Sequence, residues 1–253
     1  MADLKLPSAK AHFLWGRHAV LEALRSATRP VHKIFIATGA GDSHLAELIQ
    51  LARQSGIPIQ WVNRSKLDKL TSGQRHQGVV AAVAAKGYLD PDDIIAHLNA
   101  QTLLVILDEV EDPHNLGAVI RTAHCVGADA VITTKHRSAG LSEVVARVSA
   151  GSIEYIPVAR VTNLASFIDG LKDQGVRVIG VEPEGRVQYW QYSYKGPLAV
   201  VFGSEGKGLR RLTREHCDDL VFIPMKGRID SLNVSVAVGV VLFEVLRQRA
   251  AVQ

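Results

Sequence analysis

Residues 103–133 read LLVILDEVEDPHNLGAVIRTAHCVGADAVIT, and the pattern inside them decides the fold. Leu103 to Leu107 is an unbroken apolar run of strand length, Leu116 to Val126 switches to helical spacing, and Ala130 to Thr133 returns to a short apolar run. Strand, helix and strand at this separation make a parallel pair, because parallel neighbours need a crossover where antiparallel ones need only a turn. The rhythm continues with a helical signal at Glu143 to Ala150, strands at Val176 to Val181, Leu198 to Phe202 and Leu220 to Ile223, and a closing helix from about Asn233 to Arg249. The expected fold class is α/β, with a parallel sheet flanked by helices.

Upstream of Leu103 a smaller α/β pattern precedes this one. A helix is expected at Trp15 to Arg25, β-like runs at His32 to Ala37 and Ile57 to Val62, and a helical run at Ser43 to Gln54. The apolar segment Gly78 to Ala85 reads as the last buried strand of that unit. Gly87, Asp90 and Pro91 then punctuate the chain. The expected organisation is therefore a first domain over 1–86, a linker with one connecting helix over 87–101, and a second domain over 102–253.

With 253 residues, 47% of them hydrophobic, the chain has ample material for a packed core. Its longest nearly apolar stretch, Leu232 to Phe243, contains Asn233 and Ser235 and is cut off by Glu244, well short of the ~20 residues of a membrane span. Met1 to Lys10 carries Asp3, Lys5 and Lys10 and lacks the apolar core of a secretory signal, so a cytoplasmic location is expected. Cys125 and Cys217 lie far apart without zinc-site or redox spacing, and both read as buried thiols; no metal site is expected. The net charge of +4 is unevenly spread: residues 1–100 hold 12 Lys and Arg against 8 Asp and Glu, whereas the remainder is balanced at 17 of each. A basic first domain fits either a polyanion partner or an ordinary solvated surface.

Three stretches carry candidate chemistry. The first, Asp108 to Gly117 followed by Arg121-Thr122-Ala123, lies where a strand turns into a helix, the usual place for sites in α/β proteins. Pro113 fixes the turn, Asn115 is placed to cap the helix, and Arg121 follows about one and a half turns on, so that the two are expected to share one cleft. Taken alone, the stretch also fits a simple cap followed by a surface cation. The second, Phe202-Gly203-Ser204-Glu205-Gly206-Lys207-Gly208, follows an apolar strand and has three glycines in a tight turn. It is no triphosphate loop, since the glycines stand too close to Lys207 and Gly208 replaces the magnesium-binding hydroxyl. The glycine spacing of a dinucleotide fingerprint is missing as well. The third, Ile223 to Gly239, is a polar turn with Ser231 and Asn233 leading into an almost wholly apolar helix.

Together the phrases DPHNLGAVIRTA, VFGSEGKGL and IPMKGRIDSLNVSVAVG resemble the three motifs of the SpoU (TrmH-like) RNA methyltransferases of the SPOUT superfamily, in the right order and spacing over residues 103–249. The opening WGRHAVLEAL resembles the start of the auxiliary RNA-binding domain found in the branch that methylates guanosine 2′-hydroxyls of ribosomal RNA. The resemblance implies a trefoil-knotted C-terminal domain, an N-terminal domain like a ribosomal-protein RNA-binding module, and a homodimer. It also implies S-adenosyl-L-methionine as cofactor, held by backbone groups at Gly203, Ile223 and Leu232, and a guanosine of large-subunit (23S) rRNA, free or in a pre-ribosomal particle, as substrate.

The family's catalytic arginine corresponds to Arg121. A guanidinium with a pKa above ~12 is a poor base, so the expected role is to stabilise the developing alkoxide and anchor a neighbouring phosphate. Asn115 is expected to orient Arg121 or the ribose, Glu205 to accept hydrogen bonds, and Ser231 with Asn233 to organise the cofactor loop. Arg17 and His18 are the expected RNA contacts of the first domain. A tRNA ribose methyltransferase and a catalytically silent RNA-binding ribosome-assembly protein are the competing readings; a nicotinamide or nucleotide enzyme lacks its fingerprints.

Overall fold

The computed structural model describes residues 12–39, 43–228 and 231–250, so Met1 to Lys10 and the Ile229-Asp230 pair of the third motif lie outside the described residues. In chain order these form β1 (His12–Trp15), α1 (Arg17–Ser26), β2 (Val31–Ala37), α2 (Ser43–Gln54), β3 (Ile59–Val62), α3 (Arg64–Leu70), β4 (Val79–Val83) and α4 (Pro91–Ala96). Next come β5 (Leu103–Leu107), α5 (Pro113–Cys125), β6 (Ala130–Thr134), α6 (Glu143–Val148), β7 (Val158–Val161), α7 (Leu164–Asp173) and β8 (Arg177–Val181). The chain continues through β9 (Val187–Gln188), β10 (Leu198–Phe202), α8 (Arg211–His216), β11 (Asp219–Phe222) and α9 (Val234–Ala250). Two compact units result: one takes in the described residues through Gly87 together with Leu141–Tyr155, the other Tyr88–Gly140 together with the chain from Ile156 on.

The first unit is built on a four-stranded sheet in the order β1-β4-β2-β3, in which β4 runs antiparallel to both neighbours and β3 parallel to β2. Strand β4, expected as the last of its unit, thus lies in the interior, which is why all five of its residues are buried. Phe35, Ala37, Val62, Val80 and Ala82 form one apolar face and pack against Leu67 of α3. The helix expected from Trp15 begins instead at Arg17, because Phe13, Leu14 and Trp15 pair with β4. Helix α6 packs on β1. It belongs to this unit, although the strand–helix rhythm assigned it to the C-terminal half. A buried ion cluster accompanies it: Glu154 accepts from Arg29 Nη2 at 2.7 Å and Thr28 Oγ1 at 3.1 Å, with Lys86 Nζ 3.7 Å away.

The second unit is a seven-stranded sheet in the order β7-β6-β5-β10-β8-β11-β9, with every pairing parallel. Its central strands LLVIL and LAVVF are buried at every position, as a sheet covered on both faces requires. Helix α7 lays Leu164, Phe167, Ile168 and Leu171 into a core with Leu104, Ile106, Val178 and Val201. Each such side chain contributes roughly 1.5–3 kcal/mol relative to exposure. Helix α9 packs along α5 and buries Val234, Val238, Val241, Leu242 and Val245. Among the described residues no helix is long and apolar enough to cross a membrane. Cys125 ends α5 in an exposed position, against its expected burial; Cys217 is half-buried, and burial pushes its thiol up to about 12.

The site is set by strand register. Phe202 of β10 lies beside Val181 of β8, and Val221 of β11 beside the same residue on its other flank. The chains leaving these three strands therefore emerge together at the carboxyl edge of the sheet, where parallel α/β folds bind their ligands.

Candidate active site

Residues 203–210, leaving β10, fold back on themselves: Ser204 N–H donates to Gly208 O at 3.1 Å and Gly208 N–H to Ser204 O at 3.0 Å. So close is the return that a Cβ at Gly203 would stand 2.0 Å from the Gly208 carbonyl carbon, which leaves glycine as the residue that fits there. Gly208 itself has φ +65°, and a Cβ on it would meet the Glu182 carboxylate at 2.8 Å.

Two buried carboxylates clamp this loop, and each stands just past the end of a strand. Glu182, after β8, accepts from Leu209 N–H and from Arg214 Nη2 at 3.1 Å. Burial holds its pKa above the ordinary carboxylate range, opposed by the Leu209 N–H and by Arg214. Asp108, after β5, accepts from Arg210 N–H at 3.0 Å and from Arg210 Nε at 2.7 Å. The motif reading gave neither residue a role. Their signal in the sequence is an acidic residue immediately after a parallel strand, at the edge where sites are built.

A cavity of about 360 Å³ opens beside the loop. Gly203, Ile223 and Leu232, the three expected cofactor contacts, all line it, as do Glu205 and Ser231. Phe202, Val181, Val234 and Ala237 supply apolar wall, while the turning backbone supplies peptide donors and acceptors. The volume lies within the range of small-molecule sites, roughly 300–1,000 Å³. Apolar walls with backbone polar groups suit a nucleoside bearing an amino-acid tail, so S-adenosylmethionine fits the chemistry of the lining.

Beside the cavity three side chains from distant parts of the sequence meet. Asn115 Nδ2 donates to Glu205 Oε1 at 2.9 Å, Asn233 Nδ2 donates to the same oxygen at 2.6 Å, and Asn233 Nδ2 also reaches Asn115 Oδ1 at 3.0 Å. Asn233 stands immediately before α9 and caps it, its Oδ1 accepting from Ser235 N–H at 2.9 Å. Asn115 does not cap α5. Asp112 does, accepting from His114 N–H at 2.8 Å with Pro113 as the first helical residue, and this moves the helix start ahead of Asn115 and turns its amide inward, where it is buried. Ser231 is exposed on the cavity wall.

Arg121 does not join this group. It lies six residues beyond Asn115 on α5, about 240° round the helix, and its side chain is exposed. The single cleft expected to hold both residues is replaced by two sides of one helix. In the first unit Arg17 opens α1, its Nε donating to Gln77 O at 3.0 Å, and His18 is exposed next to it.

The SpoU rRNA Methylase family matches residues 102–243, and a substrate-binding family of RNA 2′-O ribose methyltransferases matches residues 13–89. The 23S rRNA (guanosine-2′-O-)-methyltransferase RlmB of Haemophilus influenzae is 45% identical over 240 residues, covering 93% of this chain and 97% of that protein. The Escherichia coli K12 protein of the same name is 44% identical over 243 residues, with 95% and 100% covered. Among solved structures, an AdoMet-bound rRNA methyltransferase from Sinorhizobium meliloti superposes with a TM-score of 0.80 at 29% identity, over 94% of this chain and 87% of that one.

Proposed function

Since the chain belongs to the SpoU rRNA methylase family, we propose that it transfers a methyl group from S-adenosylmethionine to the ribose 2′-hydroxyl of a guanosine in large-subunit (23S) rRNA. The observation that carries this reading is the joining of Asn115, Glu205 and Asn233, one residue from each motif, beside a cavity walled by Gly203, Ile223 and Leu232.

When bound, the cofactor supplies a methyl carbon made electrophilic by its sulfonium. The chain's own residues do the rest. The loop held by Glu182 and Asp108 presents a fixed backbone to the cofactor, so little ordering is left to occur on binding. Glu205, already holding two amide donors on one oxygen, keeps its second oxygen for the substrate or for Ser231. Exposed Arg121, on another side of α5 from Asn115, anchors an RNA phosphate and, where the bound RNA brings the 2′-oxygen to it, stabilises the negative charge developing there. No metal takes part in this scheme.

In this reading 1–86 binds the RNA substrate through Arg17, His18 and neighbouring cations, 87–101 links, and 102–253 carries transfer, apart from the 141–155 segment that packs with the first unit; the family matches at 13–89 and 102–243 support the division. The enzyme works in the cytoplasm on rRNA or a pre-ribosomal particle, as a homodimer. Support for the dimer comes from α9, where Val236, Phe243 and Leu246 recur at helical spacing with 49%, 53% and 37% exposure, an apolar stripe suited to a second copy of itself.

The test is transfer of labelled methyl to unmodified large-subunit rRNA, small-subunit rRNA and tRNA, with Arg121→Ala as control. The expected product is 2′-O-methylguanosine in large-subunit rRNA, lost in the variant. Label in tRNA instead overturns the substrate assignment, and cofactor binding without transfer to any RNA or pre-ribosomal particle overturns the activity.

A further inference from the structure

Trp61 stands 49% exposed on β3, the edge strand of the first unit's sheet, paired there with Ile36 of β2 and, among the described residues, with no strand on its other flank. An indole left this far in water forgoes a large burial gain. Beside it an open cleft of about 440 Å³ is lined by Thr38, Trp61, Asn63, Ser65, Lys66 and Lys69, together with Val62. Among the described residues the lining holds two cations and no carboxylate. The nearest acid in sequence, Asp68, is engaged by His76 at 3.0 Å. Lys66 Nζ lies 5.9 Å from the centre of the Phe35 ring. Asn63 precedes α3 without making a capping hydrogen bond, so its amide is not spent on the helix.

This combination excludes the commoner meaning of an exposed aromatic. A protein-docking patch needs contiguous apolar surface. Around Trp61 such surface is scant: among the described residues of its unit, the other large apolar side chain with comparable exposure is Tyr155, which donates its hydroxyl to Glu22, and Ile59 on the same face of β3 is only partly exposed. A single flat ring flanked by cations and neutral amide and hydroxyl groups is the chemistry of an unpaired nucleotide, which offers a π-face, polar base edges and a phosphate on either side.

We infer that Trp61 is a stacking platform for one unpaired RNA base, with Lys66 and Lys69 taking the flanking phosphates and Asn63 meeting the base edge. The inference rests on the reading of the chain as an RNA-modifying enzyme and adds to it a subsite distinct from Arg17 and His18. It makes the first unit a reader of splayed-out, single-stranded RNA and gives that unit a grip independent of the methyl-transfer chemistry.

The experiment measures binding of the full-length protein to an unstructured uridine-rich RNA oligonucleotide and to an RNA duplex, for the wild type, Trp61→Ala, Trp61→Phe and Lys66→Gln/Lys69→Gln. Folding is checked by S-adenosylmethionine binding and thermal unfolding, which an exposed side chain leaves unchanged. Trp61→Ala is expected to weaken oligonucleotide binding about 5- to 150-fold, Trp61→Phe to restore most of it, and duplex binding to change little. The double lysine variant is expected to lower the salt slope of oligonucleotide binding by about 1.4. Wild-type affinity in Trp61→Ala, equal losses for Ala and Phe, or equal losses on oligonucleotide and duplex overturn the stacking subsite while leaving the methylation reading intact. A wild-type chain that binds neither RNA overturns both.

Discussion

Asn233 donates through Nδ2 to Asn115 Oδ1 at 3.0 Å across a sequence separation of 118 residues, and both amides close on the same oxygen of Glu205. Asn233 therefore serves two ends at once, capping α9 through Oδ1 and tying the site through Nδ2. The two jobs are separable by substitution. Asn233→Ser keeps a capping oxygen, so loss of the cap is expected to account for no more than about 0.5 kcal/mol of stability, because serine caps about as well as asparagine. The donors to Glu205 are lost, and hydrogen bonds to a charged group contribute about 1.5–3 kcal/mol, so methyl transfer is expected to fall roughly 10- to 150-fold. Urea denaturation and single-turnover transfer on the same preparation check both halves.

Gly203→Ala places a methyl group where the Gly208 carbonyl carbon stands 2.0 Å away. The loop must open to accept it, at the ~1–3 kcal/mol typical of overpacking. The expected outcome is S-adenosylmethionine binding weakened about 5- to 150-fold by calorimetry. The transition for the sheet, whose strands do not depend on that turn, stays cooperative.

Glu182 gives the fold a pH dependence of defined sign. Burial raises the pKa of its carboxyl in the folded chain, so over the interval just above the ordinary carboxylate range the folded state holds more protons than the unfolded one. Its contribution to stability is thus fully present at acid pH and is lost as pH rises through the folded-state value. Glu182→Gln does not titrate, so the unfolding free energy of the wild type is expected to fall relative to this variant as pH rises through that interval. Parallel curves for the two proteins in urea, from acid to neutral pH, would refute the assignment.

Glu154→Ala strands two cations. Arg29 and Glu154 have side chains 7% and 1% exposed, and Lys86 reaches the same carboxylate at 3.7 Å. Removing one partner of a buried pair costs about 3–5 kcal/mol. Since Glu154 belongs to the segment that returns to the first unit, local loss of protection from hydrogen exchange is expected in residues 141–155 as well as in β1.

Phe243→Glu sets a charge in the middle of the exposed stripe of α9 without touching its buried face. Analytical ultracentrifugation is expected to show a dimer for the wild type and a monomer for the variant at the same micromolar concentration. A monomeric wild type would remove the stripe's assignment.

The sheet of the second unit and its long last helix were legible because their apolar runs are long and their periods unmixed: LLVIL, LAVVF and the run from Val234 are strands and helix on sight. Shorter elements were not. The four residues of β1 merged with the helical pattern that follows, and α7, with Gly170 and two aspartates among ten residues, gave no clean signal. Asn115 was expected to cap α5, but Pro113 transfers the cap to Asp112 and leaves the Asn115 amide to meet Glu205. That Gly203, Ile223 and Leu232 would come together on one cavity wall was legible through resemblance to known motifs. Glu182 was not, because its partners, Leu209 and Arg214, come together only through the register of β8 with β10. Nor does anything local to residues 141–155 tell that they belong with the first unit, since the carboxylate and cations that fasten them are ordinary charges until buried together.

Strand β10 lies between β5 and β8, both of which precede it in the chain. During synthesis the ribosome therefore releases the two flanking strands before the one that must separate them, and a β5–β8 pairing made early has to be undone or never made. Among the described residues every wall of the cavity proposed for the cofactor belongs to residues 181–237, so that pocket cannot form until the last third of the chain has emerged. Parallel pairings over such sequence distances close slowly. The half-made sheet, with its most apolar strand edge open, is the species on which a chaperone would act.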